Sequence, residues 1–202
     1  MKVLLINGSP HKEGNTFIAL SEVARTLNEC GIEAEIEWIG NRAIQGCMAC
    51  YKCKGLGYCI FRDELTTRFE QKVEECDGII IGSPVYYAGP NGALCAFLDR
   101  LFMSHGKHLR YKPAASVAVC RRGGASATFD RLNKYFTINN MPVVSSQYWN
   151  SVHGGTFREA LQDAEGLQTM RTLARNMAWM LKNLRGTELP ENESPIKTNF
   201  IR

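Results

Sequence analysis

Cys47, Cys50, Cys53 and Cys59 fall together in the run CMACYKCKGLGYC. Thiolates this close bind metal or do redox chemistry, and four of them are what a [4Fe–4S] cluster needs. The two-residue gaps let one loop wrap one cubane. A bacterial ferredoxin run closes with a three-residue gap and Cys-Pro. Here the last gap is five residues and Ile60 follows, so that comparison fails. Three assignments stay open: a [4Fe–4S] cluster, a zinc ion whose tetrahedral geometry so short a loop strains, and thiols that are free or pair by oxidation. Cys30, Cys76, Cys95 and Cys120 are dispersed and read as small buried apolar residues.

A second group of residues suits an anion. The segment Asn7-Gly8-Ser9-Pro10-His11-Lys12-Glu13-Gly14-Asn15-Thr16 joins a short apolar run to a helix-type pattern. It offers hydroxyls at Ser9 and Thr16, an amide at Asn15 and backbone N–H groups at a helix start, which together suit a phosphate group. No Lys follows Gly14, and the glycine spacing matches neither a Walker A loop nor a dinucleotide loop, so a terminal monophosphate is the expected ligand. His11 is the one histidine placed to touch it. A third segment, Ser83-Pro84-Val85-Tyr86-Tyr87-Ala88-Gly89-Pro90-Asn91-Gly92, sets two aromatics beside small residues, a pattern that can flank a flat ring. A fourth, Arg121-Arg122-Gly123-Gly124, offers cations and backbone N–H groups for negative charge on such a ring. His105 and His108 follow a helix in this reading, and His153 sits beside Gly154-Gly155. All three are read as solvated or structural.

The elements that must position these segments are legible from periodicity. Residues 2–7, 78–82 and 114–120 are continuous apolar runs, as in strands buried on both faces. Residues 32–38 alternate, with Ile32, Ala34, Ile36 and Trp38 opposite Glu33, Glu35 and Glu37, which marks an edge strand with one wet face. Residues 142–146 give a fifth, short strand. Helical stripes follow from about Asn15, from a cap at Asp63, through Leu94, Phe97, Leu98 and Leu101, through Phe129, Leu132 and Phe136, and from about Glu165 to Leu184. The last stripe turns Met170, Leu173, Met177 and Leu184 inward. Strand–helix alternation predicts a three-layer α/β/α, doubly wound, five-stranded parallel sheet of order 2-1-3-4-5. Ligands bind such sheets at the carboxyl ends of the strands, and the unusual segments follow strands 1 to 4, so they converge on one composite site.

The 202 residues carry a net charge of +4, with 45% hydrophobic and 22% charged residues. That is one domain's worth of chain, read here as residues 1–185 with a Cys-rich loop at 40–62 and a polar tail at 186–202. The Lys and Arg residues are scattered, which argues against nucleic acid. No run approaches the roughly 18 apolar residues of a spanning helix, and the N-terminal apolar run is too short for a signal peptide. The expectation is a cytoplasmic protein with no membrane partner.

The runs NGSPHKEGNT, GSPVYYAGPNGALCAFLDR, KPAASVAVCRRGGA, YWNSVHG and EGLQTMRTLARNMAWML together resemble the NADPH-dependent FMN reductase family of flavodoxin-like proteins, across roughly residues 1–184. The run CMACYKCKGLGYC resembles the compact cluster motif of the iron–sulfur flavoproteins, a branch of that family. The resemblance implies FMN, its phosphate held around Ser9, Asn15 and Thr16, with Pro84 to Gly89 facing the isoalloxazine ring and Arg121 to Gly124 closing the site. It implies a homodimer or homotetramer. The implied activity is an FMN-dependent oxidoreductase passing electrons from NAD(P)H to a quinone, a flavin or another small molecule. Two alternatives stand beside it. One is an electron carrier relaying single electrons from a ferredoxin-like donor through the four-cysteine cluster to FMN. The other is a flavin-binding protein without turnover. No acid–base side chain is assigned, because the flavin carries the chemistry.

Overall fold

The structure, a computed structural model, describes residues 1–200. Continuous apolar runs become the central strands, and each amphipathic stripe becomes a helix laid across them. In chain order the elements are β1 (Lys2–Asn7), α1 (Asn15–Glu29), β2 (Glu33–Trp38), α2 (Cys53–Leu56), α3 (Glu64–Glu75), β3 (Gly78–Tyr86), β4 (Gly89–Pro90), α4 (Gly92–Leu109), β5 (Ala114–Cys120), α5 (Ala125–Thr137), β6 (Ser151–His153) and α6 (Ala164–Leu184). A short 3-10 helix, Glu159–Gln162, precedes α6.

The sheet has six strands. Five run parallel in the order β2-β1-β3-β5-β6, and β4 pairs antiparallel with the end of β3. The parallel order is the predicted one, and β2 stands at an edge. Two cores flank the sheet. On one face Val3, Leu5, Ile80 and Val117 pack under α1 and α6; on the other Leu4, Ile6, Ile79 and Ile81 pack under α3, α4 and α5. Alternate residues of one strand thus serve opposite layers, which is why these strands are apolar throughout.

The polar face of β2 is only partly wet. Glu35 bonds to Lys2 at 2.6 Å and to Lys72 of α3, and Glu37 lies 2.9 Å from Lys72. Burial disfavours the Glu35 carboxylate, but the two lysines outweigh it and bring its pKa down to about 2.

Four expectations about elements need correction. The fifth strand is 151–153. Residues 142–146 give only a single bridge, Val143 to Ala114, because the edge breaks after Val144 and regains the sheet where Ala118 donates to the Asn150 carbonyl. β3 continues past 82 to Tyr86 and turns tightly into β4. His105 and His108 lie inside α4, which runs on to Leu109. Leu184 is exposed at the end of α6. No helix among the described residues is long and apolar enough to cross a membrane.

Candidate functional site

The cleft forms where β1, β3 and β5 end. Asn7, the last residue of β1, is fully buried and shapes the loop that follows. Its Nδ2 donates to the Lys12 carbonyl at 3.0 Å, and its Oδ1 accepts from the Ser9 N–H at 3.1 Å. Ser9 Oγ accepts from the His11 N–H at 3.1 Å. Gly8 is required by space: a Cβ would stand 2.8 Å from the Gly82 carbonyl oxygen and 2.4 Å from Leu94. Gly14 caps α1 with no side-chain hydrogen bond. The first-turn N–H groups therefore face the cleft uncapped, with the positive end of the helix dipole behind them.

The second wall is the end of β3. Ser83 is fully buried; its Oγ accepts from the Asn91 N–H at 2.9 Å. Asn91 caps α4 through Ala93 N–H and donates Nδ2 to the Gly8 carbonyl at 2.8 Å, tying the two loops together. Between β3 and β4, Tyr87 and Ala88 both have positive φ, 50° and 57°. Hairpin turns of that hand favour Asn and Gly, so this one is strained, as turns at functional sites often are. Gly124, at φ +88°, lies under it: a Cβ there would meet the Ala88 Cα at 2.7 Å.

The cleft, about 290 Å³, is lined by Ser9, His11, Gly14, Asn15, Thr16, Pro84, Val85, Tyr86 and Arg121, all expected. Val119, Cys120, Gly154 and Gly155 line it too and were missed. Gly155 has a sequence signal in hindsight, a Gly-Gly pair after a strand; a Cβ there would meet Arg121 Cγ at 2.6 Å. Burial pushes the Cys120 thiol pKa up, so it lines the wall as a neutral group. Tyr87, Gly89, Arg122, Gly123 and Gly124 do not line the cleft. Tyr87 projects fully into solvent from the turn, and Arg122 and Gly123 are exposed. The side-chain amide of Asn15 is directed away from a purely ligand-facing role. It donates to the Thr156 carbonyl at 2.8 Å and accepts from the Ala160 N–H at 3.1 Å, pinning the segment that carries Gly154 and Gly155.

The four clustered cysteines line a second recess, with Met48, Tyr51 and, from α4, Arg100, Met103 and Ser104. Ala49 and Tyr51, on either side of Cys50, have positive φ of 52° and 56°, so this loop too is held in a strained shape. Burial, then the neighbouring Cys47 thiol, push the Cys53 pKa up. Arg100 is the anchor that sequence reading missed. Buried in α4, it donates to the Gln45 carbonyl at 3.2 Å, to Asp63 at 2.7 Å, and to the Phe61 carbonyl and Thr66 Oγ1. Burial works against its charge, but Asp63 and Cys59 outweigh that and raise its pKa.

Four thiols on one short loop are the donor set that a [4Fe–4S] cluster or a zinc ion takes. The recess is small, about 20 Å³, and Cys47 and Cys50 are exposed, so a group held by all four would border solvent.

The family described as NADPH-dependent FMN reductase matches residues 1–156 of this chain. An iron–sulfur flavoprotein of Methanocaldococcus jannaschii is 35% identical over 190 residues, covering 90% of this chain and 98% of that one. Among solved structures, RosB with bound 8-demethyl-8-formylriboflavin-5'-phosphate superposes with a TM-score of 0.75 at 16% identity, over 100% of this chain and 92% of that one. An archaeal flavodoxin superposes with a TM-score of 0.61 at 14% identity, over 90% and 99%.

Proposed function

Because the chain belongs to the NADPH-dependent FMN reductase family, we propose that it is an FMN-dependent oxidoreductase working with NAD(P)H, and that its FMN lies in the cleft at the ends of β1, β3 and β5. The observation that carries this is the pairing of an uncapped α1 N-terminus with Tyr86 and Arg121 across one cleft. When bound, FMN supplies the redox chemistry, taking a hydride from the nicotinamide and giving electrons to a small-molecule acceptor. Ser9, Thr16 and the first N–H groups of α1 hold the phosphate, since a dianion gains from both the donors and the helix dipole. Pro84, Val85 and Tyr86 face the ring, and Arg121 lends positive charge where the reduced ring is negative. Gly124 packs under the β3–β4 turn, while Tyr87, Gly89, Arg122 and Gly123 lie outside the cleft.

A second reading is favoured by the recess of four cysteines and by the name of the relative. In it Cys47, Cys50, Cys53 and Cys59 hold a [4Fe–4S] cluster that accepts single electrons from a ferredoxin-like protein. Copies of the chain join as a dimer or tetramer in either reading; exposed Tyr148, Trp149 and Phe157, on the stretch flanking Gly154 and Gly155, support this.

The test is an absorption spectrum with iron and acid-labile sulfide assays on protein purified without oxygen. A flavin spectrum with no iron supports the simple reductase. Flavin overlaid by broad brown absorption, with about four irons per chain, supports the electron carrier. Failure to retain or rebind FMN overturns both.

A further inference from the structure

Beside the cysteine recess, α3 and α4 bring three ligand-type side chains together. Glu74 stands at the end of α3, and His105 and His108 stand three residues apart on α4. Glu74 Oε1 lies 3.6 Å from His105 Nε2 and 3.6 Å from His108 Nε2. One ligand atom from each residue falls within 4.8 Å of the other two. These separations are too long for hydrogen bonds. The two carboxylate–imidazole separations of 3.6 Å are close to the edges of a coordination tetrahedron, in which bonds of about 2.0–2.1 Å set neighbouring ligand atoms roughly 3.4 Å apart. The two imidazoles stack, with centroids 5.4 Å apart, and so turn both Nε2 atoms to one carboxylate.

The far side of His105 is also arranged. Its Nδ1 lies 3.0 Å from Ser104 Oγ and 3.4 Å from Glu70 Oε1. A carboxylate behind the ring keeps the proton on Nδ1 and leaves the Nε2 lone pair free, the usual support of a metal-bound histidine. His105 and Glu70 are buried, and burial lowers the His105 pKa against the pull of Glu70 and Glu74. Glu74 is exposed and His108 partly so, which leaves an approach from solvent and room for a water ligand.

We propose that Glu74, His105 and His108 bind one divalent transition-metal ion of the zinc type. Two imidazoles and a carboxylate suit Zn²⁺, Co²⁺ or Ni²⁺, rather than the soft ions that thiolates select or the hard ions that need all-oxygen shells. The ion cross-links α3 to α4. Glu70 Oε1, which orients His105, also accepts from the Cys59 N–H at 3.1 Å, so the same carboxylate touches the backbone of the cysteine loop.

The test is a Co²⁺ titration of the full chain, kept free of oxygen and read by absorption, because thiolate ligands add near-ultraviolet charge transfer that imidazole and carboxylate do not. The comparison set is wild type, Glu74→Gln, His108→Ala and Cys50→Ser. Both helix positions are at least a third exposed, so either substitution leaves the core intact. Wild type and Cys50→Ser should each bind one Co²⁺ per chain at a site that adds no charge transfer, whatever ion the thiolates take up beside it. His108→Ala and Glu74→Gln should lose this ion or bind it at least about tenfold more weakly. Equal affinity in wild type and His108→Ala, or no such ion in Cys50→Ser, would overturn the proposal.

Discussion

Replacing Arg100 with Met tests whether one buried cation holds the cysteine loop to the fold. The guanidinium serves the carbonyls of Gln45 and Phe61, the Thr66 hydroxyl and the Asp63 carboxylate. Methionine keeps most of the apolar stem and leaves those partners unmatched. An unmatched buried polar group costs about 1–3 kcal/mol. Asp63 is nearly half exposed, so water replaces its partner and that loss adds at most about 1 kcal/mol. Removing the charge also lifts its desolvation cost, and Arg100 Nε has no partner to lose. The net expectation is a destabilisation of about 2–4 kcal/mol. With a urea slope of about 2 kcal/mol per M, the unfolding midpoint of metal-free protein falls by about 1–2 M. Circular dichroism during urea unfolding measures this. A change of less than about 0.5 kcal/mol, typical of an inert surface site, would refute the reasoning. Gln45 and Phe61 bracket the four cysteines, so the same variant should be cut faster by protease within residues 47–59.

Asn15→Ala removes two hydrogen bonds to the segment carrying Gly154 and Gly155. At about 0.5–1.5 kcal/mol each, FMN affinity should fall roughly five- to a hundredfold; an unchanged fluorescence titration would remove Asn15 from the site. Gly124→Ala forces a side chain into a left-handed backbone against Ala88. The backbone cost alone is about 1–2 kcal/mol, so Tm should drop by about 2–8 °C, and an unchanged Tm would show that the hairpin yields freely. Glu35 has a folded pKa of about 2 against an ordinary 4.5. A lowered carboxylate pKa stabilises the fold above the ordinary value, and that contribution disappears as pH falls toward the folded one. Wild type should therefore lose urea resistance between about pH 4.5 and 2 more steeply than Glu35→Gln, and parallel profiles would contradict the Lys2–Glu35–Lys72 arrangement.

Much of the fold is local physics, and the sequence alone determined it. Continuous apolar runs at 2–7, 78–82 and 114–120 read as strands covered on both faces, and the Glu-alternating run at 32–38 as an edge. Asp63 was legible as a cap because capping needs one oxygen and a helix start. The convergence of the βα loops followed from the alternation itself, so Ser9, Asn15, Thr16, Tyr86 and Arg121 could be placed near one another before any coordinates. Only the tertiary structure decided which side chains of those loops face inward. Tyr86 and Tyr87 are equivalent in sequence, but a tight turn with two positive φ angles sends one to the cleft and the other to solvent. Asn15 carries the right chemistry for a phosphate, yet its amide meets backbone more than 140 residues away. Arg100 left no local signal, because its partners come from other elements, and the His105–His108 pair gained a meaning only once α3 brought Glu74 beside it. Periodicity reports how a segment meets an average core, whereas a site depends on contacts between segments distant in the chain, which exist only once the layers have packed.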